Sequence, residues 1–197
     1  MGWAGWEKFG QLPQKSKSPA RQLQGYRSRD LGQAFENMVE VSCLQLNLQK
    51  AALIEKTPEP FRVTDKKYDR TGKFLGFLGF FTKPAQPDFK GTVAGGRSVC
   101  FEAKATMEDR IEAKAVTEGQ RAALEAHWEL GAIVFVIVSL GLTQFYRVPW
   151  EVWRQMKAAY GRKYMTAEDL EPFRIPMVNG NIKILQEEAL CISTNQT

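Results

Sequence analysis

Residues 87–104, PDFKGTVAGGRSVCFEAK, narrow what this chain can fold into more than any other stretch. Two extended runs meet at Ala94-Gly95-Gly96, and glycine accepts the left-handed backbone that a tight reversal needs. Side-chain parity then selects the loop. A two-residue turn on Gly95-Gly96 sets Asp88 opposite Ala103 and mixes polar and apolar side chains on both faces. A three-residue loop sets Asp88 opposite Glu102. One face then carries Phe89, Gly91, Val93, Val99, Phe101 and Ala103. The other carries Asp88, Lys90, Thr92, Ser98, Cys100, Glu102 and Lys104. The second register separates apolar from polar, so the three-residue loop is expected.

That register has a chemical consequence. Two carboxylates directly opposed across an antiparallel pair repel one another. A divalent cation between Asp88 and Glu102 removes the repulsion, and hard oxygen ligands suit Mg²⁺ or Mn²⁺. Lys104 shares the face and is placed to hold a water or to stabilise charge on a phosphate. Metal, activated water and a cation are the parts of a phosphodiester hydrolysis site. Alternating charges on an ordinary exposed hairpin would look the same locally, so the rest of the chain has to weigh in.

The distribution of charge points to a polyanionic partner. Residues 1–29 hold Lys8, Lys15, Lys17, Arg21, Arg27 and Arg29 against Glu7 alone, which accounts for the whole net charge of +5. A basic arm over residues 1–28 ahead of a near-neutral body is expected to be drawn to nucleic acid. Residues 61–83, FRVTDKKYDRTGKFLGFLGFFTK, read as two extended arms about a turn at Asp69-Arg70-Thr71-Gly72. This ribbon carries Arg62, Lys66, Lys67, Arg70, Lys73 and Lys83, while its FLGFLGFF run is expected to pack on the body.

Elsewhere the pattern is that of a mixed α/β domain. A first helix is expected from an N-cap at Asp30 towards Lys56, ended by Pro58 and Pro60, with Leu31, Phe35, Met38, Val39, Ser42, Cys43 and Leu46 facing the core. A helix over 117–130 stopped by Gly131, strands at 132–139 and 142–148, a helix after Pro149 and a capping box at Thr166–Asp169 follow. A sheet flanked by helices results. Ala132 to Leu140, AIVFVIVSL, is too short to span a bilayer. The N-terminal residues lack the apolar core of a signal peptide. The three cysteines, Cys43, Cys100 and Cys191, form neither a zinc spacing nor a disulfide framework, which fits a reducing cytoplasm. His127 is the one histidine, so Ser-His-Asp and His-Cys metal chemistry lack their residues. Trp150 and Trp153 are read as core. No glycine-rich phosphate loop marks a nucleotide cofactor.

With these residues in hand, Pro87-Asp88 and Glu102-Ala103-Lys104 resemble the PD-(D/E)xK nuclease superfamily. More narrowly, the order GQAFE (32–36), IEKTPEPF (54–61), basic ribbon, PDFKG (87–91), FEAK (101–104), a helix with Gln120 and GAIVFVIV resembles the RecU-type Holliday-junction resolvases, over roughly residues 29–175. The resemblance implies a restriction-endonuclease-like α/β fold, a mixed central sheet flanked by helices with a protruding β-ribbon stalk over 58–84. Residues 176–197 form a C-terminal extension. It implies a homodimer that nicks opposing strands of a four-way DNA junction with Mg²⁺ or Mn²⁺, leaving 5′-phosphate and 3′-hydroxyl ends. It adds Glu36 to Asp88 and Glu102 as a metal ligand, although periodicity leaves Glu40 in competition. Gln120 joins Asp88, Glu102 and Lys104 as a catalytic candidate. The DNA-contact candidates are Arg27, Arg29, Lys56, Arg62, Lys66, Lys67, Arg70, Lys73, Lys83 and Lys90. One departure stands out: Ala85-Gln86-Pro87 replaces hydroxylated residues usual before the aspartate. The alternatives are a junction-binding accessory protein that does not cut, or a general duplex nuclease.

Overall fold

The computed structural model describes residues 19–58, 61–81 and 86–185. Helix α1, Pro19–Leu48, opens the described chain and leads into strand β1, Ala52–Lys56. Both ends differ from expectation. The described helix is already formed at Pro19, well ahead of the expected N-cap. Gly25 and Gly32 each cost about 1 kcal/mol in a helix interior without breaking it. Asp30 is therefore mid-helix, and Arg27 and Arg29 ride on an exposed helical surface. Arg29 lies over the Tyr26 ring at 4.9 Å.

The helix stops well before Lys56 at a Schellman turn. The Ala51 N–H reaches the Leu46 carbonyl (3.0 Å) and the Lys50 N–H reaches that of Asn47 (2.9 Å). Lys50 holds the left-handed conformation, φ 55°, where glycine is usual. A lysine there hides the stop signal from sequence.

Strands β2, Phe61–Tyr68, and β3, Phe74–Phe81, pair only with each other among the described residues. Their turn is tied by Asp69, whose Oδ1 accepts from the Thr71 and Lys73 backbone N–H groups, both at 2.8 Å. Strands β4, Phe89–Val93, and β5, Ser98–Thr106, form the expected hairpin. Phe89 opposes Phe101 and Thr92 opposes Ser98, and the Val93 N–H bonds the Arg97 carbonyl (2.9 Å), closing the loop 94–96. Gly95 and Gly96 have φ of 90° and 87°. Gly91 is needed for another reason: a Cβ there would lie 2.0 Å from the Leu53 carbonyl oxygen of β1.

After β6, Arg110–Glu112, comes α2, Glu118–Glu129, then β7, Ile133–Leu140, and β8, Gln144–Pro149. Short elements follow in the described chain: α3 (Trp150–Arg154), α4 (Met156–Tyr160), β9 (Tyr164–Thr166), α5 (Ala167–Leu170), β10 (Arg174–Ile175), β11 (Met177–Val178) and β12 (Asn181–Ile182). The main sheet runs β1-β4-β5-β7-β8-β10, with β5 and β7 parallel and the remaining neighbours antiparallel.

Alternation along β5 sorts the core into two layers. Val99, Phe101 and Ala103 face α1, where Phe35, Val39, Phe89 and Phe135 join them. Phe89, Phe101 and Phe135 stack in a row at 5.0 and 4.7 Å between centroids. Cys100 turns to the opposite layer, with Leu124, Val136, Trp150 and Trp153. Both tryptophans are core, as expected. Cys43 and Cys100 are free and buried, and burial pushes each thiol up to about 12. Cys191 lies outside the described residues. Among the described residues no helix is long and apolar enough to cross a membrane.

The ribbon corrects one expectation. Phe74, Leu75, Phe77 and Leu78 are 47–57% exposed rather than packed on the body. Phe74 instead meets Tyr68 and Phe77 edge-on, at 5.8 and 5.1 Å. Among the described residues the ribbon pairs with no strand of the main sheet.

Candidate active site

The polar face of the hairpin lies under α2. Directly opposed residues of an antiparallel pair share a face. One step beyond the ladder pair Lys56–Phe89, Thr57 meets Asp88, and its N–H donates to the Asp88 carbonyl at 2.8 Å. One step beyond Phe89–Phe101, Asp88 meets Glu102. Thr57, Asp88 and Glu102 thus form a row across β1, β4 and β5.

Asp88 leaves the regular ladder. Its Oδ2 accepts the Ala103 backbone N–H (3.2 Å) and the Lys104 ammonium (2.9 Å). Glu102 is fully buried. Its Oε2 accepts from Lys104 (2.6 Å) and from the Gln120 side-chain amide (2.5 Å), while Oε1 has no hydrogen-bond partner among the described residues.

Gln120 has two tasks. Its Oε1 accepts the Thr117 N–H (3.0 Å) as half of the capping box that starts α2, which leaves its NH₂ free to hold Glu102. The capping box therefore fixes both the helix start and the angle at which the amide meets the carboxylate.

The electrostatics follow from one lysine serving two carboxylates. Burial raises the Glu102 carboxyl to about 8; Lys104 opposes the shift and Asp88 adds to it. Burial works against the Lys104 charge as well, but the carboxylates of Glu102 and Asp88 outweigh it and hold the ammonium above the ordinary lysine value. The ammonium is the charged partner, and Glu102 carries the unmet cost of a second buried negative charge.

Glu36 comes from the other layer. It pairs with Lys56 at 2.7 Å. Lys56 opposes Phe89, whose ring packs in the α1 layer, so this ion pair sits on the face away from Gln120. The hydrogen bond to Glu36 is the main reason that the Lys56 ammonium is raised; burial opposes it, and Glu36, Glu40 and Asp88 add their charge. The structure brings Asp88, Glu102, Lys104 and Gln120 into contact and leaves Glu36 outside that group. Among the described residues no three Asp, Glu, His or Cys side chains converge tightly enough to form a metal cage by themselves.

The remaining candidates are spread out. Lys90 donates to Gln86 Oε1 at 2.7 Å, so Gln86 anchors a lysine. Arg62, Lys66, Lys67, Arg70 and Lys73 are exposed on the ribbon. Lys83 lies outside the described residues. Sequence reasoning missed Thr57, whose buried Oγ1 has no partner among the described residues. Its position opposite Asp88 depends on the β1 register, which a helix drawn through to Lys56 concealed.

Residues 30–186 match the model of the RecU family, Recombination protein U. This chain belongs to the RecU family. It is a Holliday-junction resolvase, a crossover-junction endodeoxyribonuclease that hydrolyses phosphodiester bonds, and the family depends on a divalent metal. Its central mixed sheet flanked by helices is the α/β architecture its sequence implied. No curated protein matches the chain in sequence. Among solved structures, one similar protein is Hjc of Archaeoglobus fulgidus, a Holliday junction resolvase from an archaeal hyperthermophile. It shares 14% identity over 61% of this chain and 74% of that one, with a TM-score of 0.38.

Proposed function

We propose that this RecU protein resolves four-way DNA junctions in the cytoplasm as a homodimer. Each subunit nicks one of two opposing strands, with Mg²⁺ or Mn²⁺ held by Asp88 and Glu102 and without a nucleotide cofactor. The observation that carries this reading is the buried Glu102 Oε1, which lies beside Asp88 and lacks a hydrogen-bond partner among the described residues. Two carboxylates share one ammonium, so the site is short of positive charge, and its free donor is a hard oxygen. Such a donor set fits a small divalent cation.

When bound, the metal supplies polarisation of the phosphate and a more acidic water. The protein supplies the rest. Gln120 fixes the Glu102 carboxylate plane. The Ala103 N–H does the same for Asp88. Lys104 keeps its proton beside both carboxylates and provides a fixed positive charge against which a phosphate gathers negative charge. Thr57 places a hydroxyl beside Asp88, where Gln86 and Pro87 offer none. Glu36 is the third carboxylate of this reading, and joining the site requires it to exchange its ion pair with Lys56. The basic ribbon, the exposed arginines of α1 and Lys90 make the DNA contacts.

The test uses a synthetic four-way junction and a linear duplex, each with Mg²⁺ and with chelator. Paired, symmetric nicks in the junction alone, and only with Mg²⁺, are expected. Tight junction binding without nicks would return the chain to an accessory role, and equal cutting of the duplex would make it a general nuclease.

A further inference from the structure

We infer that a second pocket, beside the N-terminal turn of α2, binds a backbone phosphate of the DNA substrate; this rests on the junction-cutting reading above. The pocket has a volume of about 500 Å³ between the segment 113–118, α3 and α4. Its wall is rich in donors. Lys114 and Arg154 are already engaged, with Glu112 (2.5 Å) and Glu125 (2.6 Å). Arg121, Lys157 and Lys163 line the same pocket and have no carboxylate partner among the described residues. Arg121 lies over the Trp150 ring at 5.8 Å, a contact that uses none of its N–H donors.

A second, independent observation comes from Trp153. It lines the pocket and is fully buried, yet its indole N–H has no acceptor among the described residues. A buried donor left unpaired costs ~1–3 kcal/mol, which an acceptor from a ligand removes. Three uncommitted cations and one orphaned N–H, against the single carboxylate of Glu118, specify a ligand that is anionic and rich in acceptors. A phosphate meets that description, and the volume leaves room for the sugars on either side.

Location argues for DNA rather than a free anion. Gln120, which holds Glu102, and Arg121, which lines the pocket, are consecutive residues of α2. A strand that offers one phosphate to the carboxylate site carries others close by, one per ~3.4 Å of helix axis. The pocket thus lies where a neighbouring phosphate of the cut strand, or of the arm flanking it, can be gripped. It adds a positioning contact separate from those of the ribbon, which belongs to a different sheet.

The test uses the full chain labelled with 5-fluorotryptophan, with the Trp153 resonance assigned through Trp153→Phe. Three probes are titrated in chelator: a four-way junction, a linear duplex with the arm sequence, and inorganic phosphate. The junction is expected to shift the Trp153 resonance. In Lys157→Glu/Lys163→Glu, whose altered residues are exposed and leave the melting temperature unchanged, the shift should vanish. Junction affinity should fall ~10-fold, with the salt-dependence slope reduced by about 2. A Trp153 resonance unmoved by either DNA, or a double variant binding like the parent, overturns the inference. A shift with inorganic phosphate alone also overturns it, since the pocket would then serve a free phosphate compound. A Trp153 shift with DNA in a protein that makes no paired nicks would sink the functional reading and leave the pocket standing.

Discussion

Two neighbouring β-hairpins of this molecule invert the usual rule of burial. In β4–β5 a glutamate is fully buried, while in β2–β3 phenylalanines lie about half exposed. Ordinary stability favours neither arrangement. A buried carboxylate with one unpartnered oxygen and a bare aromatic surface each cost free energy in isolation. The body hairpin keeps its charge where water is excluded and a phosphate can be polarised. The ribbon keeps its rings and cations where a large partner can reach them. One hairpin is built for chemistry and the other for contact.

The largest expected effect falls on the buried side. Asp88→Ala or Glu102→Ala should lower junction cleavage by ~10³-fold or more, because each removes a proposed metal oxygen. Junction affinity measured in chelator should stay near that of the parent. If affinity collapses together with cleavage, the two hairpins do not divide the work as described. Lys104→Ala should cost ~10²-fold in cleavage at saturating metal, the loss typical of one removed electrostatic donor. Recovery of the parental rate by raising metal alone would reduce Lys104 to a metal-site spacer.

Glu102 also makes a thermodynamic prediction. Its carboxyl titrates near 8 in the folded protein against an ordinary 4.5. Between those values the folded state holds a proton that the unfolded state has lost. Stability therefore falls as pH rises from about 4.5 to about 8, then levels off. The whole decline is on the order of a few kcal/mol, since one bound proton is worth about 1.4 kcal/mol for each pH unit crossed. Thermal melts in chelator should show this decline in the parent and a flatter profile in Glu102→Gln. The variant should be the more stable at pH 8 and inactive. A parallel pair of profiles would mean that another group carries the pH dependence.

The same contrast explains what could be read from sequence. The β4–β5 register was legible because one side chain in two is apolar and two glycines mark the loop. Parity then leaves a single good pairing. The capping box of α2 was equally local, although its second use, in orienting Glu102, was not visible without the fold. What failed involved signals of unusual chemistry. Lys50 performs the turn that glycine normally announces, so β1 was absorbed into α1 and Thr57 lost its place beside Asp88. The ribbon misled in the opposite direction. FLGFLGFF has the composition of a core strand, and nothing local reveals that it pairs with a basic strand and leaves Phe74, Leu75, Phe77 and Leu78 about half exposed. The cations of the α2 pocket were unreadable for a third reason: Arg121, Lys157 and Lys163 come together only through the packing of α2 against α3 and α4.

On the exposed side, neutralising Arg70 and Lys73 should weaken junction binding and reduce the salt slope by about 2, since each cation accounts for about one phosphate. Cleavage at saturating protein should change far less. A loss of cleavage that saturation does not restore would show that the ribbon shapes the junction as well as holding it.

The most direct test of the inverted burial sets a large core loss against the smallest effect expected, on the ribbon. Phe101→Ala empties the centre of the stacked row between Phe89 and Phe135 and should cost ~3–5 kcal/mol. Phe77→Ala removes a ring of the same size that is 55% exposed, and should shift stability by no more than ~0.5 kcal/mol. Denaturant melts at low protein concentration compare the two directly. Because the side chains are chemically identical, the difference measures environment alone. A Phe77→Ala loss that grows with protein concentration would mean that the ribbon is covered by a second copy. Its rings would then be the hidden core of the proposed dimer, and the contrast between the hairpins would hold only for the isolated subunit.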